Sequence, residues 1–197
     1  MKNKILFGVA FLAFISASGV LNAQYNIAEI GLAQGTFKAA ELDINTNLIG
    51  LHAGIEVPLA TYSFRLGYDY LSRVGSATDG KKSLSHLSAL KFLGGKVFNS
   101  GHRVQFLVFG GGYAMTPVGD IQLPEDKKSV FGFSSSAGTR IYISNRFSVF
   151  GEALFDIGLV PDYTYTNSDG VSITSNMPIR NLAFSVGIAF VYLNKKK

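Results

Sequence analysis

The sequence predicts an all-β chain of eight antiparallel strands in up-and-down order, closed into a barrel. Three observations carry this. From residue 25 onward, large apolar residues recur at every second position, the period of a strand. The connections between these stretches alternate strictly between tight turns and long polar segments. Beyond residue 23, no run approaches the ~18 consecutive apolar residues that a membrane-crossing helix needs.

Composition narrows the class. The chain has 197 residues, the size of one domain, with 22 Gly and 16 Phe but no Trp and no Cys. Charged residues make up 16%, against about 25% in an average soluble domain. The formal net charge is +5, yet setting aside Lys2, Lys4, Lys195, Lys196 and Lys197 leaves basic and acidic residues equal in number. The basic balance is therefore no sign of nucleic-acid binding. Without Cys there is no disulfide and no lipid-anchored cysteine.

Residues 1–23 read as a cleaved export signal. Lys2 and Lys4 precede a short apolar run over 5–15, and a small, polar stretch follows to Ala23. Cleavage is placed after Ala23, with Gly19 as the alternative because Leu21 departs from the Ala-x-Ala pattern. Residues 24–197 then form the barrel domain, ending in a short Lys tail.

The first strand, 25–33, sets Ala28, Ile30 and Leu32 against Ile27, Glu29 and Gly31. The second, 46–57, sets Ile49, Leu51, Ala53, Ile55 and Val57 against Leu48, Gly50, His52, Gly54 and Glu56. The third, 61–71, has the clearest alternation: Tyr62, Phe64, Leu66, Tyr68 and Tyr70 against Ser63, Arg65, Gly67 and Asp69. The fourth, 84–98, is least regular: Leu90 and Phe92 oppose Ala89, Lys91 and Leu93, and a bulge near Gly94-Gly95 could shift the phase. The fifth, 103–115, opposes Val104, Phe106 and Val108 to Gln105, Leu107, Phe109 and Tyr113. The sixth, 130–143, opposes Phe131, Phe133, Ala137 and Ile141 to Gly132, Ser134, Ser136, Gly138 and Arg140. The seventh, 147–160, opposes Val149, Ala153, Phe155, Ile157 and Leu159 to Ser148, Phe150, Glu152, Leu154 and Asp156. The eighth, 179–193, carries Leu182, Phe184, Val186, Ile188, Phe190 and Tyr192 on one face and Asn181, Ala183, Ser185, Gly187 and Ala189 on the other.

Tight turns are expected at Pro58-Leu59-Ala60, Asn99-Ser100-Gly101-His102 and Ser144-Asn145-Arg146. The long connections are 34–45, 72–83, 116–129 and 161–178. In an up-and-down barrel, alternate connections emerge at one end. One rim therefore carries the turns and both termini, and the other carries four long loops.

The two faces decide where the bulky residues go. The bulky sets are almost free of charge. The opposite sets collect Glu29, Glu56, Arg65, Asp69, Arg140, Glu152 and Asp156, with Lys91 if the fourth strand is phased that way. An eight-stranded barrel has a narrow interior, which suits Gly, Ser and paired charges better than rows of Phe and Tyr. The bulky face is therefore expected outside, as a lipid-facing belt with Tyr62, Tyr68, Tyr70, Phe147 and Tyr192 as girdle candidates. The expected architecture is thus a transmembrane barrel. The rival is a soluble lipocalin-like carrier, whose Gly-x-Trp the chain lacks.

On these residues the chain resembles the small eight-stranded outer-membrane barrels of the OmpA/OmpX type, and the short "outer membrane protein β-barrel domain" or porin-family proteins of the Bacteroidota. The resemblance spans 24–193. It implies a Gram-negative outer-membrane location, contact with outer-membrane lipid and lipopolysaccharide, and recognition of the last strand by the outer-membrane assembly machinery through Phe190 and Tyr192. It also implies a monomer whose extracellular loops are the functional surface. The chain continues through Leu193, Asn194 and three Lys, a departure from the family's aromatic ending, and no peptidoglycan-binding domain is expected to follow.

Candidate chemistry is sparse. His86 and Ser88 lie two apart on one face and resemble the His-x-Ser of outer-membrane lipid A deacylases. Ala89 stands where that family has Asn, and a serine nucleophile needs a base that is itself oriented. His52, between Gly50 and Gly54 on the inward face, reads as a hydrogen-bonded interior residue, since no second His or Cys has ligand spacing. Asp120, Asp162 and Asp169 could meet calcium from outside, but no EF-hand spacing is present. Gly110-Gly111-Gly112 lacks the helix and Lys of a phosphate loop. No cofactor and no metal are expected. The leading reading is a non-enzymatic surface-interaction protein anchored by its barrel. A narrow passive channel is the alternative, and a deacylase-like enzyme is the minor one.

Overall fold

The computed structural model describes residues 25–39, 44–59, 62–75, 84–119, 129–166 and 172–193. The export signal with its cleavage site, the Lys tail, Ala60, Asp120 and Asp169 lie outside the described residues, and so does the side chain of Asp162. Eight strands follow in order: β1 Tyr25–Ala39, β2 Ile44–Leu59, β3 Tyr62–Arg73, β4 Leu84–Phe98, β5 Val104–Gly119, β6 Val130–Tyr142, β7 Phe147–Thr166 and β8 Ser172–Leu193. Each pairs with the next, and β1 pairs with β8, so the sheet is a closed barrel. All pairings are antiparallel, with Tyr25 opposite Leu193 at the seam.

The alternation sorts the faces as expected. Ile30, Phe92, Phe133, Phe155, Phe184 and Val186 are exposed on the outer wall. Glu29, His52, Arg65, Ser134, Glu152 and Ser185 are buried inside. Ile55, Val57 and Leu66 keep the outward parity but are covered, Leu66 standing opposite Ile55. At the turn-bearing rim, Asn99 (φ 54°) and Gly101 (φ 86°) take left-handed conformations, and the His102 amide donates to the Asn99 carbonyl at 3.0 Å. Ser144 Oγ accepts from the Arg146 and Phe147 amides, closing the β6–β7 turn.

Two expectations are corrected. First, no bulge falls at Gly94-Gly95. The β4 register runs unbroken from His86 to Phe98 and slips only between Leu84 and His86. That slip turns Leu84 inward, and the unbroken register beyond it places Lys91 on the buried face.

Second, two of the four long connections, 34–45 and 161–178, are largely strand. β1 runs on to Ala39 and β2 starts at Ile44, while β7 and β8 pair as far as Thr166 and Ser172. The reason is a polarity inversion along the strands. Past the apolar belt, the outward residues become polar (Gln34, Lys38, Asn45, Asn47), and the inward ones become apolar (Phe37, Ala39, Ile44, Leu48). A search for apolar residues on the outward parity loses the strand where that parity turns polar.

Glycines make room inside where rings must lie. Along one row, His52 pairs with Gly31, Gly31 with Gly187, and Gly187 with Phe150. The His52 and Phe150 rings meet edge to face over the two glycines, 5.9 Å apart. A Cβ on Gly31 would run into the Val186 carbonyl, and one on Gly187 into the Ile30 carbonyl. The β1–β8 seam therefore closes on residues without side chains.

Candidate functional site in the barrel lumen

The lumen is filled in layers. The half toward residues 40–43 and 167–171 holds an apolar cluster that includes Phe37, Ile44, Leu48, Leu71, Leu87, Met115 and Met177. Toward the turns lie two smaller apolar clusters, Leu93, Val97, Leu107 and Phe109 on one side and Ile27, Phe150 and Ala189 on the other. Between them sits the charge network.

Its first half is built on two arginines. Arg65 Nη1 donates to both oxygens of Glu152, at 2.8 and 2.6 Å. Arg65 Nη2 reaches Glu56 at 3.3 Å, and Nε lies 3.3 Å from Glu29. The same guanidinium lies over the Phe109 ring, 4.1 Å from its centroid. Arg140, 0% exposed, donates to Glu29 and Glu56 from Nη2. Ser136 donates to Glu152.

The second half is built on Lys91. Its Nζ lies 2.8 Å from Asp69 and 3.0 Å from Asp156. Asp156 also accepts from Ser134 at 2.6 Å and Asn181 at 2.9 Å. His52 joins the halves: Nδ1 lies 2.6 Å from Asp69, and Nε2 faces Glu29 at 3.9 Å. With Phe109 from β5, all eight strands contribute a side chain. Such a network is tolerable in a low-dielectric interior only because almost every charge meets an opposite one with hydrogen-bonding geometry.

The structure thus brings together all seven charges expected inside, Glu29, Glu56, Arg65, Asp69, Arg140, Glu152 and Asp156, and adds Lys91 and His52. Sequence parity left Lys91 open, because a bulge near Gly94-Gly95 would have shifted the phase of β4. Tyr113 is a further interior residue. Its ring lies against Gly132 and Gly158, so that a Cβ on either would strike it.

His86 and Ser88 fall on the outward face of β4. The His86 ring stands 5.8 Å from the Tyr70 ring, and Ser88 pairs with Tyr70 and Thr116. Among the described side chains the carboxylates are Glu29, Glu56, Asp69, Glu152 and Asp156, and every one is interior. On that face none of them can orient the imidazole as a base. Among the described residues no cluster of His, Asp and Glu has the arrangement of a metal site.

No protein-family model matches the sequence. No curated protein matches it either. Solved structures do match in fold. The Neisserial surface protein A superposes with a TM-score of 0.63 at 7% identity, over 84% of this chain and 96% of that one. The outer membrane protein AlkL, solved in lipid bilayers, gives 0.55 at 11% identity over 89% and 93%. The outer membrane protein OprG from Pseudomonas aeruginosa gives 0.52 at 11% identity over 87% and 97%. The chain forms a closed, all-antiparallel sheet of eight strands, and its fold is that of the small outer-membrane β-barrels.

Proposed function

We propose that the chain is an integral, monomeric outer-membrane barrel that acts as a rigid, non-conducting and non-enzymatic anchor for a surface-interaction rim. The observation that carries this reading is the polarity inversion along its strands. Crossing the hydrocarbon takes about 9–11 tilted residues, whereas β7 has 20 and β8 has 22. The lower part presents Phe155, Ile157 and Leu159 of β7 and Leu182, Phe184, Val186 and Ile188 of β8 to lipid. The upper part has the polar-out, apolar-in pattern of a water-exposed barrel, held on the Phe37–Met177 cluster. The interaction surface is therefore the strand-built rim, more than the four separate loops. Its contacts are outer-membrane lipid and lipopolysaccharide around the belt. Assembly is read from β8, where the outward Phe190 ring meets Phe147 at 5.0 Å.

Conduction is disfavoured by the apolar layers above and below the ion-paired layer. Deacylation is disfavoured by the absence of a carboxylate beside His86 among the described side chains. Fractionation and a gel run with and without heating test the anchor. The expected result is a membrane-bound protein whose mobility changes on boiling. Recovery in the soluble fraction with identical mobility would end the reading. In planar bilayers the pure protein is expected to give no defined openings, and steady unitary conductance would favour the channel instead. Ser88→Ala is expected to leave lipid A acylation unchanged.

A further inference from the structure

We infer that the turn-side mouth of the barrel is a binding site for an oxyanion, the carboxylate or phosphate of a small ligand reaching it from the turn-bearing side. A cavity of about 670 Å³ opens there, within the ~300–1,000 Å³ range of ligand pockets. It lies below the apolar layer of Ile27 and Phe150, and Gln105 in its lining stands opposite Arg140, at the edge of the ion-paired network.

Two independent observations give the cavity its chemistry. The first is Gln105. It points inward from β5, is only 7% exposed and lines the cavity, and it has no hydrogen-bond partner among the described residues. Its amide is held at the cavity wall with its hydrogen-bonding groups open to the cavity, where a ligand can engage them. The second is charge segregation. The described rim segments 58–59, 98–104 and 142–147 contain no Asp or Glu. The same rim carries Arg103 and Arg146.

The lining places donors around one space. Arg103 is held by Nε donating to the Tyr142 carbonyl at 3.2 Å, which leaves the two terminal nitrogens of its fork for a ligand. His102 and Asn145 complete the polar wall, and Tyr25 and Tyr142 supply flat apolar surfaces. These donors, inside a concave mouth whose rim segments lack Asp and Glu, favour an anion over a cation.

The test uses the full mature chain in phosphatidylcholine nanodiscs, titrated by calorimetry with glycerol 3-phosphate and with N-acetylglutamate. At least one probe is expected to bind saturably and to shift the side-chain amide resonance of Gln105. Arg103→Gln and Gln105→Met are each expected to weaken binding about tenfold, and Arg180→Gln on the far rim is expected to leave it unchanged. Repeating the titration in phosphatidylglycerol nanodiscs distinguishes the source of the anion. Loss of probe binding there assigns the site to a lipid headgroup, and retention assigns it to a free solute. Failure of both probes to bind, or binding unchanged in both variants while they keep the folded gel mobility, would overturn the inference.

Discussion

Replacing Arg65 by leucine is expected to lower the stability of the barrel by about 3–5 kcal/mol, the cost of breaking a buried ion pair by removing one partner. Arg65 is the hub of the lumen. Its guanidinium meets Glu152 at 2.6 Å, Glu29 and Glu56 at 3.3 Å, and the Phe109 face at 4.1 Å. Without it, three buried carboxylates are left to Arg140 and the His52 ring. Urea unfolding in lipid vesicles, followed by tyrosine fluorescence, measures the loss. The companion variant Glu152→Gln removes the charge that Arg65 pairs with most closely. The double variant is therefore expected to lose less than the sum of the single losses, because the two side chains share one interaction. Arg180→Leu, on an exposed outward position, is expected to stay within about ±0.5 kcal/mol. Equal effects of Arg65→Leu and Arg180→Leu would mean that the network does not hold the lumen together.

The second large effect is expected on the outer wall. Val186 stands at the centre of the β8 belt, between Leu182 and Phe190, and is 63% exposed. Val186→Arg places a guanidinium in hydrocarbon and is expected to cost about 2–4 kcal/mol, the midplane penalty for a lipid-facing cation. Ser85→Arg is likewise exposed but sits beyond the belt. It is expected to change stability by about ±0.5 kcal/mol or less. The contrast separates a lipid-facing wall from a water-facing one, since in water both substitutions would be nearly neutral.

The sequence showed the barrel, its closure by β1 and β8, and the charged lumen, because these rest on parity and on the placement of turns. Parity fixes a residue's face as soon as its strand is located. This is why Glu29, Arg65, Glu152 and Asp156 could be placed without coordinates. Three things were not legible. The inward side of Lys91 hung on whether a bulge fell at Gly94-Gly95, since a slip of one residue exchanges the faces, and the glycine pair alone does not decide it. The strand extensions past Ala33, and between Val160 and Pro178, were hidden because polarity inverts where a strand leaves the apolar belt. The role of His52 as the bridge between two ion clusters depends on two strands neighbouring across the register, which spacing along the chain does not encode. The polarity inversion is itself a signal: Phe37, Ala39 and Ile44 alternate with Lys38 and Asn45 inside a stretch whose composition alone reads as a loop.

The most direct test of the central claim is a depth profile of β8. The chain has no cysteine, so single spin-labelled cysteines can be introduced at Thr174, Leu182, Val186, Phe190 and Ser185 without a background. In reconstituted bilayers, oxygen accessibility relative to a water-soluble nickel reagent is expected to peak at position 186. It should fall at 182 and 190, and reverse in favour of nickel at 174. The label at 185 is expected to be immobilised inside the lumen. Nickel accessibility at 186 equal to that at 174, or a mobile, lipid-exposed label at 185, would contradict the assignment of the bulky face of β8 to lipid, and with it the membrane-spanning barrel.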